Sequence, residues 1–405
     1  VRVVVVGAGI GGLALAQGLV RAGVDVVVLE RDAALADTGG YRLHLTPQAG
    51  AALRGLLAPV AWDAVLAACA APGSSRRMHV VDRRLRPVFH APFEPGPGGE
   101  PHRMVGRVAL RVALGRGLAD RVRLGVRVTG TSARAGGGVD VHVEGGAVAA
   151  DVVVAADGVG SVVATQHAGR PTSRPVGLQG LAGRAEPGPD APGLLDDGPA
   201  LAIGPRGVGA FLTLHAPAGE PAEVVWGLVV SDAAATRTDL RGRPDPRDAA
   251  AALLAGWDPW LRGLVARTDP VTLGRYLFHA ADPRRTIAPW RVDGAAPVVG
   301  LGDAVHAMPP TGGQSASTAV LDAGDLHGVL ADGSGEDLAA RLDAVGDAIA
   351  RRGAAAVAES VAPARWIRRT SSPAASLALL GAQRAVTGAR GLRDAVRGPG
   401  DPLRR

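Results

Sequence analysis

The run Arg2-Val3-Val4-Val5-Val6 passes without a linker into Gly7-Ala8-Gly9-Ile10-Gly11-Gly12 and then into Leu13-Ala14-Leu15-Ala16. β-Branched residues at every position suit a parallel strand buried on both faces, and the glycines turn it directly into a helix. Gly7 permits the tight turn, Gly9 lets the backbone approach a pyrophosphate, and Gly12 lets the helix pack closely on the strand. Ile10 and Gly11 complete the cradle, where the helix start offers free N–H groups and the positive end of its dipole. Val24-Asp25-Val26-Val27-Val28-Leu29 supplies a second strand. Glu30, followed by Arg31, ends that strand about twenty residues after the glycines, where an acid accepts from ribose hydroxyls. The pattern predicts dinucleotide binding and leaves open whether the dinucleotide is NAD or FAD.

Composition narrows the setting. A chain of 405 residues with 47% hydrophobic content is long enough for two or three domains with real cores. A strand beginning at the second residue predicts that no signal or transit peptide precedes it. No uncharged apolar stretch approaches the roughly 20 residues of a membrane helix. Cys69 is the only cysteine, which excludes an internal disulfide and a cysteine-rich metal site, and a cytoplasmic location is expected. The net charge of +6 does not point to nucleic acid. All 44 basic residues are arginine and are scattered rather than gathered with aromatics into a stripe, so no nucleic-acid partner is expected. The basic end, Arg390–Arg405, reads as a solvated tail, and the oligomeric state is left open.

Along the chain, residues 1–70 read as strand, helix, strand, an irregular segment around Asp37–Pro47, and then helix. Met78–Phe93 reads as a hairpin turning at Asp82-Arg83-Arg84, and Pro92–Pro101 as a loop. Arg107–Leu118 has helical spacing at Leu110, Leu114 and Leu118. Val122–Val128 and Val139–Val143 read as strands, and Ala149–Ala156 as a buried strand ending at Asp157-Gly158. From Thr172 the texture is antiparallel, with strands at Val176–Ala185, Ala200–Ile203, Gly209–His215, Val224–Val230 and Val271–Ala280. Helices are expected at Asp248–Ala255 and Trp257–Ala266. After Pro289-Trp290 a buried strand returns at Ala296–Leu301, and helices follow from Ser315. The expected architecture is α/β: a discontinuous Rossmann-like nucleotide domain (1–70, 102–170 and 290–350), an inserted mostly β substrate domain (71–101 and 171–289) and a C-terminal helical region (351–405).

Three further features fall at or near the ends of the predicted strands, where open α/β sheets bind ligands. They are Ala156-Asp157-Gly158, the helical Arg107-Val108-Ala109-Leu110, and Gly302-Asp303 leading through Pro309-Pro310-Thr311-Gly312-Gly313-Gln314. The two prolines stiffen the last loop, and its glycines permit close backbone approach at a helix start. With the opening glycine turn and Glu30, these motifs resemble the class A FAD-dependent aromatic hydroxylases, the family of p-hydroxybenzoate hydroxylase and salicylate hydroxylase. Trp290, ahead of the last strand, is similar too.

The resemblance implies FAD as the resident cofactor and NAD(P)H as a transient co-substrate. By that likeness Glu30 binds the adenosine ribose, Arg107 the pyrophosphate or ribityl region, and Asp303 a ribityl hydroxyl. Asp157 with Gly158 supports FAD and the passing nicotinamide, and Val128 is expected beside the cofactor. Arg42 falls where a second flavin-contacting arginine is common. The helix start Gly312-Gly313-Gln314-Ser315 faces the flavin pyrimidine, and Pro309 and Pro310 line the reaction side. Three positions depart from the family: Ser315 and Ser317 replace the usual glycine and asparagine, and Ala164 stands where an arginine is usual.

The activity implied is a monooxygenase that uses NAD(P)H and O2 to hydroxylate an aromatic or polycyclic small molecule through a flavin C4a-hydroperoxide. Epoxidation, Baeyer–Villiger oxidation and flavin-dependent dehydrogenation on the same scaffold remain alternatives, as does a flavin-binding sensor without turnover. His44, Phe211, His215 and Trp226 are the candidate substrate residues, with His279 considered beside them. His306 is expected to hydrogen-bond locally, and no metal site is predicted.

Overall fold

The computed structural model describes residues 1–40, 42–70, 75–217, 219, 221–282, 290–292, 296–332 and 338–397. Tyr41, Pro289 and the end of the basic tail lie outside them. The valine run forms the strand Arg2–Val6, buried from Val3 onward, near the middle of a six-stranded sheet. Its neighbours are Asp25–Leu29 on one side and Val152–Ala155 on the other, both parallel to it, with Val3 opposite Val26 and Val152. Ala296–Gly300 extends the sheet in parallel beyond Val152–Ala155, and only the edge strand Trp290–Val292 is antiparallel. The sheet thus gathers strands that lie far apart in sequence. The helix Ile10–Arg21 packs so closely that a Cβ on Gly12 would lie 2.2 Å from Gly7 O, and one on Gly11 2.6 Å from Leu301.

A second sheet has seven strands, in the order Gly274–Ala281, Ser173–Ala185, Glu223–Ser231, Val208–His215, Ala200–Ile203, Arg77–Val81 and Pro87–Pro92. Only Ala200–Ile203 with Arg77–Val81 is a parallel pair. One face buries Leu212, Val224, Trp226, Leu228 and Val230 in a core shared with the helices Asp232–Arg237, Pro246–Leu253 and Pro259–Ala266. A three-stranded meander (Val128–Ala133, Val139–Val143, Gly146–Ala150) and the pair Arg42–Leu45 with Arg103–Gly106 complete the β structure. The fold is the α/β arrangement expected, with separate sheets and C-terminal helices.

Several expected elements are divided or displaced. The run 149–156 is two strands, because two sheets claim it: Gly146–Ala150 pairs in the meander and Val152–Ala155 in the large sheet. Asp151 sits at the break and accepts the Arg2 amide at 2.7 Å. Val122–Val128 is likewise interrupted after Val122–Arg123 by a turn at Gly125, and Val128 begins a strand of another sheet. The helix from Arg107 ends at Leu114. Residue 350, the expected edge of the nucleotide domain, lies inside one unbroken helix, Leu338–Arg369. Its buried positions recur at three- and four-residue spacing (Leu342, Gly346, Ile349, Gly353), the stripe of a helix packed along one side.

Trp226 is fully buried and its indole N–H donates to Thr268 Oγ1 at 2.7 Å. Trp226→Ala should destabilise the protein by about 3–5 kcal/mol through lost transfer energy and the residual cavity. Urea denaturation of the variant checks this, and an unchanged midpoint would refute the packing assignment.

Candidate functional site

Three turns converge at the carboxyl ends of adjacent parallel strands. Gly7 follows Arg2–Val6, Asp157 follows Val152–Ala155, and Gly302-Asp303 follows Ala296–Gly300. Gly7 has φ +108°, and a Cβ there would lie 2.4 Å from Ala156 O, so both conformation and space require glycine. Gly9 and Gly158 face open space instead; their nearest neighbour to an added Cβ is 3.9 Å away for Gly9, and Gly158 has none within 4 Å.

Glu30 is buried at the end of the second strand. Its Oε2 accepts the Ala8 amide at 2.7 Å, its Oε1 accepts the Asp32 amide at 2.9 Å, and Arg111 pairs with it at 3.0 Å. Arg111 also donates to Ala8 O at 2.7 Å and to Asp32 at 2.8 Å, locking the glycine turn to the second strand. Sequence reasoning gave Arg111 no role. The signal was its place four residues after Arg107, which puts both on one side of a helix. Arg107 itself is exposed, with its stem against Gly40 and no hydrogen bond or ion pair among the described residues. Arg31 is also exposed, and Val128, in the three-stranded meander, is buried in the core that the meander shares with the large sheet.

The Gly302-Asp303 turn is held from behind. Gly302 has φ +59°, and its amide donates to Asp322 Oδ2 at 3.0 Å. His306 Nε2 lies 2.5 Å from the same oxygen, while Arg352 donates through Nε and Nη2 to Asp322 Oδ1 at 3.1 and 2.7 Å. Burial disfavours a charged His306, but the charge and hydrogen bond of Asp322 outweigh it and raise the imidazole's pKa. Burial likewise opposes ionisation of Asp322, and His306 with Arg352 holds its carboxyl low. The local bonding expected of His306 is therefore a buried ion pair.

Downstream, Ser315 Oγ donates to Asp303 Oδ1 at 2.8 Å, so the serine that departs from the family pattern fastens the loop. Ser317 Oγ donates to His44 O and accepts the Thr46 amide, each at 3.0 Å, tying the strand Arg42–Leu45 to the helix Ser315–Leu330. Ala164 is fully buried, and its amide is capped by Ser161 Oγ at 2.9 Å. Gly312 has a packing reason as well: a Cβ there would lie 2.3 Å from Ser360 Oγ of the long helix. Gln314 bonds Glu359 of that helix. Gly313 is exposed, Pro309 is buried and Pro310 exposed.

Arg42 is buried and donates through Nη1 to Thr213 Oγ1 and Leu214 O, while Nε and Nη2 have no partner among the described residues. Burial lowers its pKa to about 10. Phe211, Thr213 and His215 alternate along Val208–His215 and therefore share one face, the face that Arg42 meets. His215 has an unpartnered buried Nδ1, and burial beside Arg42 pushes its imidazole down to about 4. Trp226 is not part of this side. It pairs with Leu212 rather than Phe211, so the two-residue alternation sends it to the opposite face and the core. His279 Nδ1 lies 3.2 Å from Leu277 O of its own strand.

His44 stacks with Phe93 and His102, and its Nε2 lies 2.7 Å from His102 Nδ1. His102 Nε2 donates to Glu94 O at 2.9 Å, so its Nδ1 accepts and His44 Nε2 donates. That tautomer leaves His44 Nδ1 as an acceptor close to Gly313, 3.9 Å from where a Cβ there would stand. Among the described residues no three His, Cys, Asp or Glu side chains cluster as a metal site.

The unsatisfied groups suit a flavin dinucleotide. Asp157 Oδ2 accepts the Val162 amide at 2.8 Å, but its Oδ1 is buried without a partner among the described residues, and burial raises the carboxyl's pKa. Together with the open Gly9 and Gly158 and the free Arg42 nitrogens, the site lacks polar partners where such a ligand would provide them.

Comparison with known proteins agrees. The FAD binding domain family matches residues 1–48. A FAD-dependent urate hydroxylase of Mycolicibacterium vanbaalenii is 28% identical over 344 residues, covering 82% of this chain and 80% of that protein. The structure of a Klebsiella pneumoniae HpxO variant complexed with FAD is 25% identical, with a TM-score of 0.75, covering 97% of this chain and 96% of the other. In sequence and fold the chain resembles the FAD-dependent class A monooxygenases. For the fold alone, 2,6-dihydroxypyridine-3-hydroxylase of Arthrobacter nicotinovorans has a TM-score of 0.74 at 21% identity, covering 92% of this chain and 93% of that chain.

Two measurements test the site. In Asp322→Ala, His306 would be buried without its counter-charge and the Gly302 amide without its acceptor, while Arg352 keeps Asp325, and stability should fall by about 3–5 kcal/mol in chemical denaturation. The second concerns His44, which burial and its neighbour His102 push down to about 4, and His215. Both protonate near 6.5 when unfolded, so between pH 6.5 and 4 the unfolded chain binds more protons and stability drops with falling pH. Melting temperatures of the His44→Gln, His215→Gln double variant should fall less between pH 7 and 5 than those of the native protein; an equal drop would refute the assignment.

Proposed function

We propose that this chain is a monooxygenase that uses NAD(P)H and O2 to hydroxylate an aromatic or polycyclic small molecule. One observation carries the reading: the turns at Gly7, Asp157 and Asp303 end adjacent strands, and the face bearing Phe211, Thr213 and His215 bonds Arg42, whose strand Ser317 ties to the helix that follows the Asp303 loop. A dinucleotide cradle and a pocket wall from a different sheet thus share one site. The names of the relatives, urate hydroxylase above all, favour a planar heteroaromatic or aromatic substrate.

In this reading the nucleotide unit comprises 1–70, 102–170 and the segment from 290 into the long helix, because those stretches build the six-stranded sheet and its covering helices. Segments 71–101 and 171–289 supply the seven-stranded sheet and form the substrate unit. Gly7, Gly9, Ile10, Gly11, Gly12 and Glu30 would hold the adenosine and pyrophosphate, with Arg107 reaching the diphosphate from the rim. Asp157, Gly158, Gly302 and Asp303 would hold the ribityl chain and ring edge. The start of Ser315–Leu330 would direct its dipole at the pyrimidine, favouring the negative charge of reduced flavin.

When bound, FAD supplies electron transfer from the nicotinamide and activation of O2. The chain's own work is to orient and to exclude water. Arg42 Nε and Nη2 would donate to acceptor atoms on flavin or substrate. His44 Nδ1, kept neutral by burial, would accept a proton or hydrogen bond on the reaction side, with Pro309 shaping the wall. The lone buried thiol of Cys69 fits a reducing compartment, and the cytoplasm is the location proposed.

Purified protein incubated with FAD should turn yellow. NAD(P)H oxidation should then require both O2 and an aromatic substrate, and ¹⁸O from labelled O2 should enter the product. Failure to retain FAD would overturn the cofactor assignment; turnover without label incorporation would favour a dehydrogenase.

A further inference from the structure

A second cavity, of about 540 Å³, opens between the end of the helix Val162–Ala168, the start of Ser173–Ala185, the end of Gly274–Ala281 and the long helix. Among its described lining residues the charges are Arg170, Arg174 and Arg365, with Asp282 as the acid; Thr172 and Ser173 add hydroxyls. None of the three arginines makes a hydrogen bond or ion pair with a described residue. Three like charges around one concavity repel each other and raise the local positive potential, and an anion placed among them relieves both effects. Arginine side chains also present forked donors matched to phosphate oxygens.

The cavity is joined to the flavin loops at three points. Thr172 Oγ1 donates to Ala304 O at 2.8 Å, one residue after Asp303. The Ala281 amide donates to Ala307 O at 2.8 Å, two residues before Pro309. The helix Val162–Ala168, whose first amide is bound by Asp157, ends at the cavity wall. Seven helical residues span about 10 Å, so the cavity lies within reach of an extended dinucleotide that passes Asp157.

We propose that this cavity binds the phosphate-bearing adenosine end of the visiting nicotinamide dinucleotide, with Arg170, Arg174 and Arg365 as its phosphate ligands. The assignment rests on the functional reading above for the identity of the dinucleotide. It accounts for how a chain with one dinucleotide-binding turn can hold two dinucleotides: the resident one in the glycine cradle, the visitor in an open basic pocket behind the flavin loop.

The test uses FAD-loaded protein and 2′,5′-ADP, which carries the phosphates and adenosine but no nicotinamide. It should bind, and should compete with NADPH. Arg174→Glu and Arg365→Glu should each weaken 2′,5′-ADP binding and raise the KM for NADPH about tenfold or more, as loss of a charge-assisted partner implies. FAD content should be unchanged in both. Arg262→Gln, an exposed arginine on a distant helix, should move neither value. Absence of 2′,5′-ADP binding, or equal binding by native and variant proteins, overturns the proposal. Binding of inorganic pyrophosphate without 2′,5′-ADP would mark an adventitious anion site and overturns it too. Arginine-dependent binding of 2′,5′-ADP in a protein that oxidises no NAD(P)H would support the cavity assignment and overturn the proposed function instead.

Discussion

Asp322 is fully buried, yet both its oxygens are occupied: one by the Gly302 amide and His306, the other by Arg352. Removing a carboxylate from water costs several kcal/mol, and only near-complete pairing offsets that. Here the pairing joins three elements separate in sequence: the turn after Ala296–Gly300, the helix Ser315–Leu330 and the long helix Leu338–Arg369. The left-handed backbone at Gly302 is therefore fastened at its amide, and Asp303 is set at the strand end. Gly353 against His306 and Gly312 against Ser360 show the same helix pressed onto the loop twice more, at positions where any side chain would collide. The loop facing the flavin site is rigid because its back is packed.

The opposite wall depends on alternation rather than charge. In Val208–His215 Phe211, Thr213 and His215 lie on the face that Arg42 meets and the even-numbered residues on the face packed with helices, and in the paired strand Trp226 lies opposite Leu212. One sheet thus supplies both a domain core and a pocket wall. Arg42 links that wall to the nucleotide side through Thr213, and its two free nitrogens mark where a ligand completes the arrangement.

Much of this was legible beforehand. The valine run, the glycine turn, Asp157 and Gly302-Asp303 are local patterns whose geometry follows from a few neighbouring residues. The pairing of Arg111 with Glu30 was not legible, because it joins residues 81 positions apart across a helix and a strand end. The strand Arg42–Leu45 was read as irregular, since four residues with no strict alternation carry little signal until Arg103–Gly106 supplies a partner. Ser315 and Ser317 looked like departures. Their hydroxyls bond Asp303 and the strand carrying His44, so the changed sequence keeps the connections by other atoms.

By itself the sequence determined that this chain builds a parallel sheet with a dinucleotide turn at its carboxyl edge, because strand burial and glycine geometry are properties of adjacent residues. It also specified the order of the motifs and hence the kind of cofactor. Only the tertiary structure decided which side chains share a cavity. Phe211 and Trp226 are equally aromatic in sequence, but sheet register sends one to the face that Arg42 meets and the other to the core. Scattered arginines look alike until the ends of two strands and two helices bring Arg170, Arg174 and Arg365 around one space. Contact between distant segments depends on packing, and packing has no local signature.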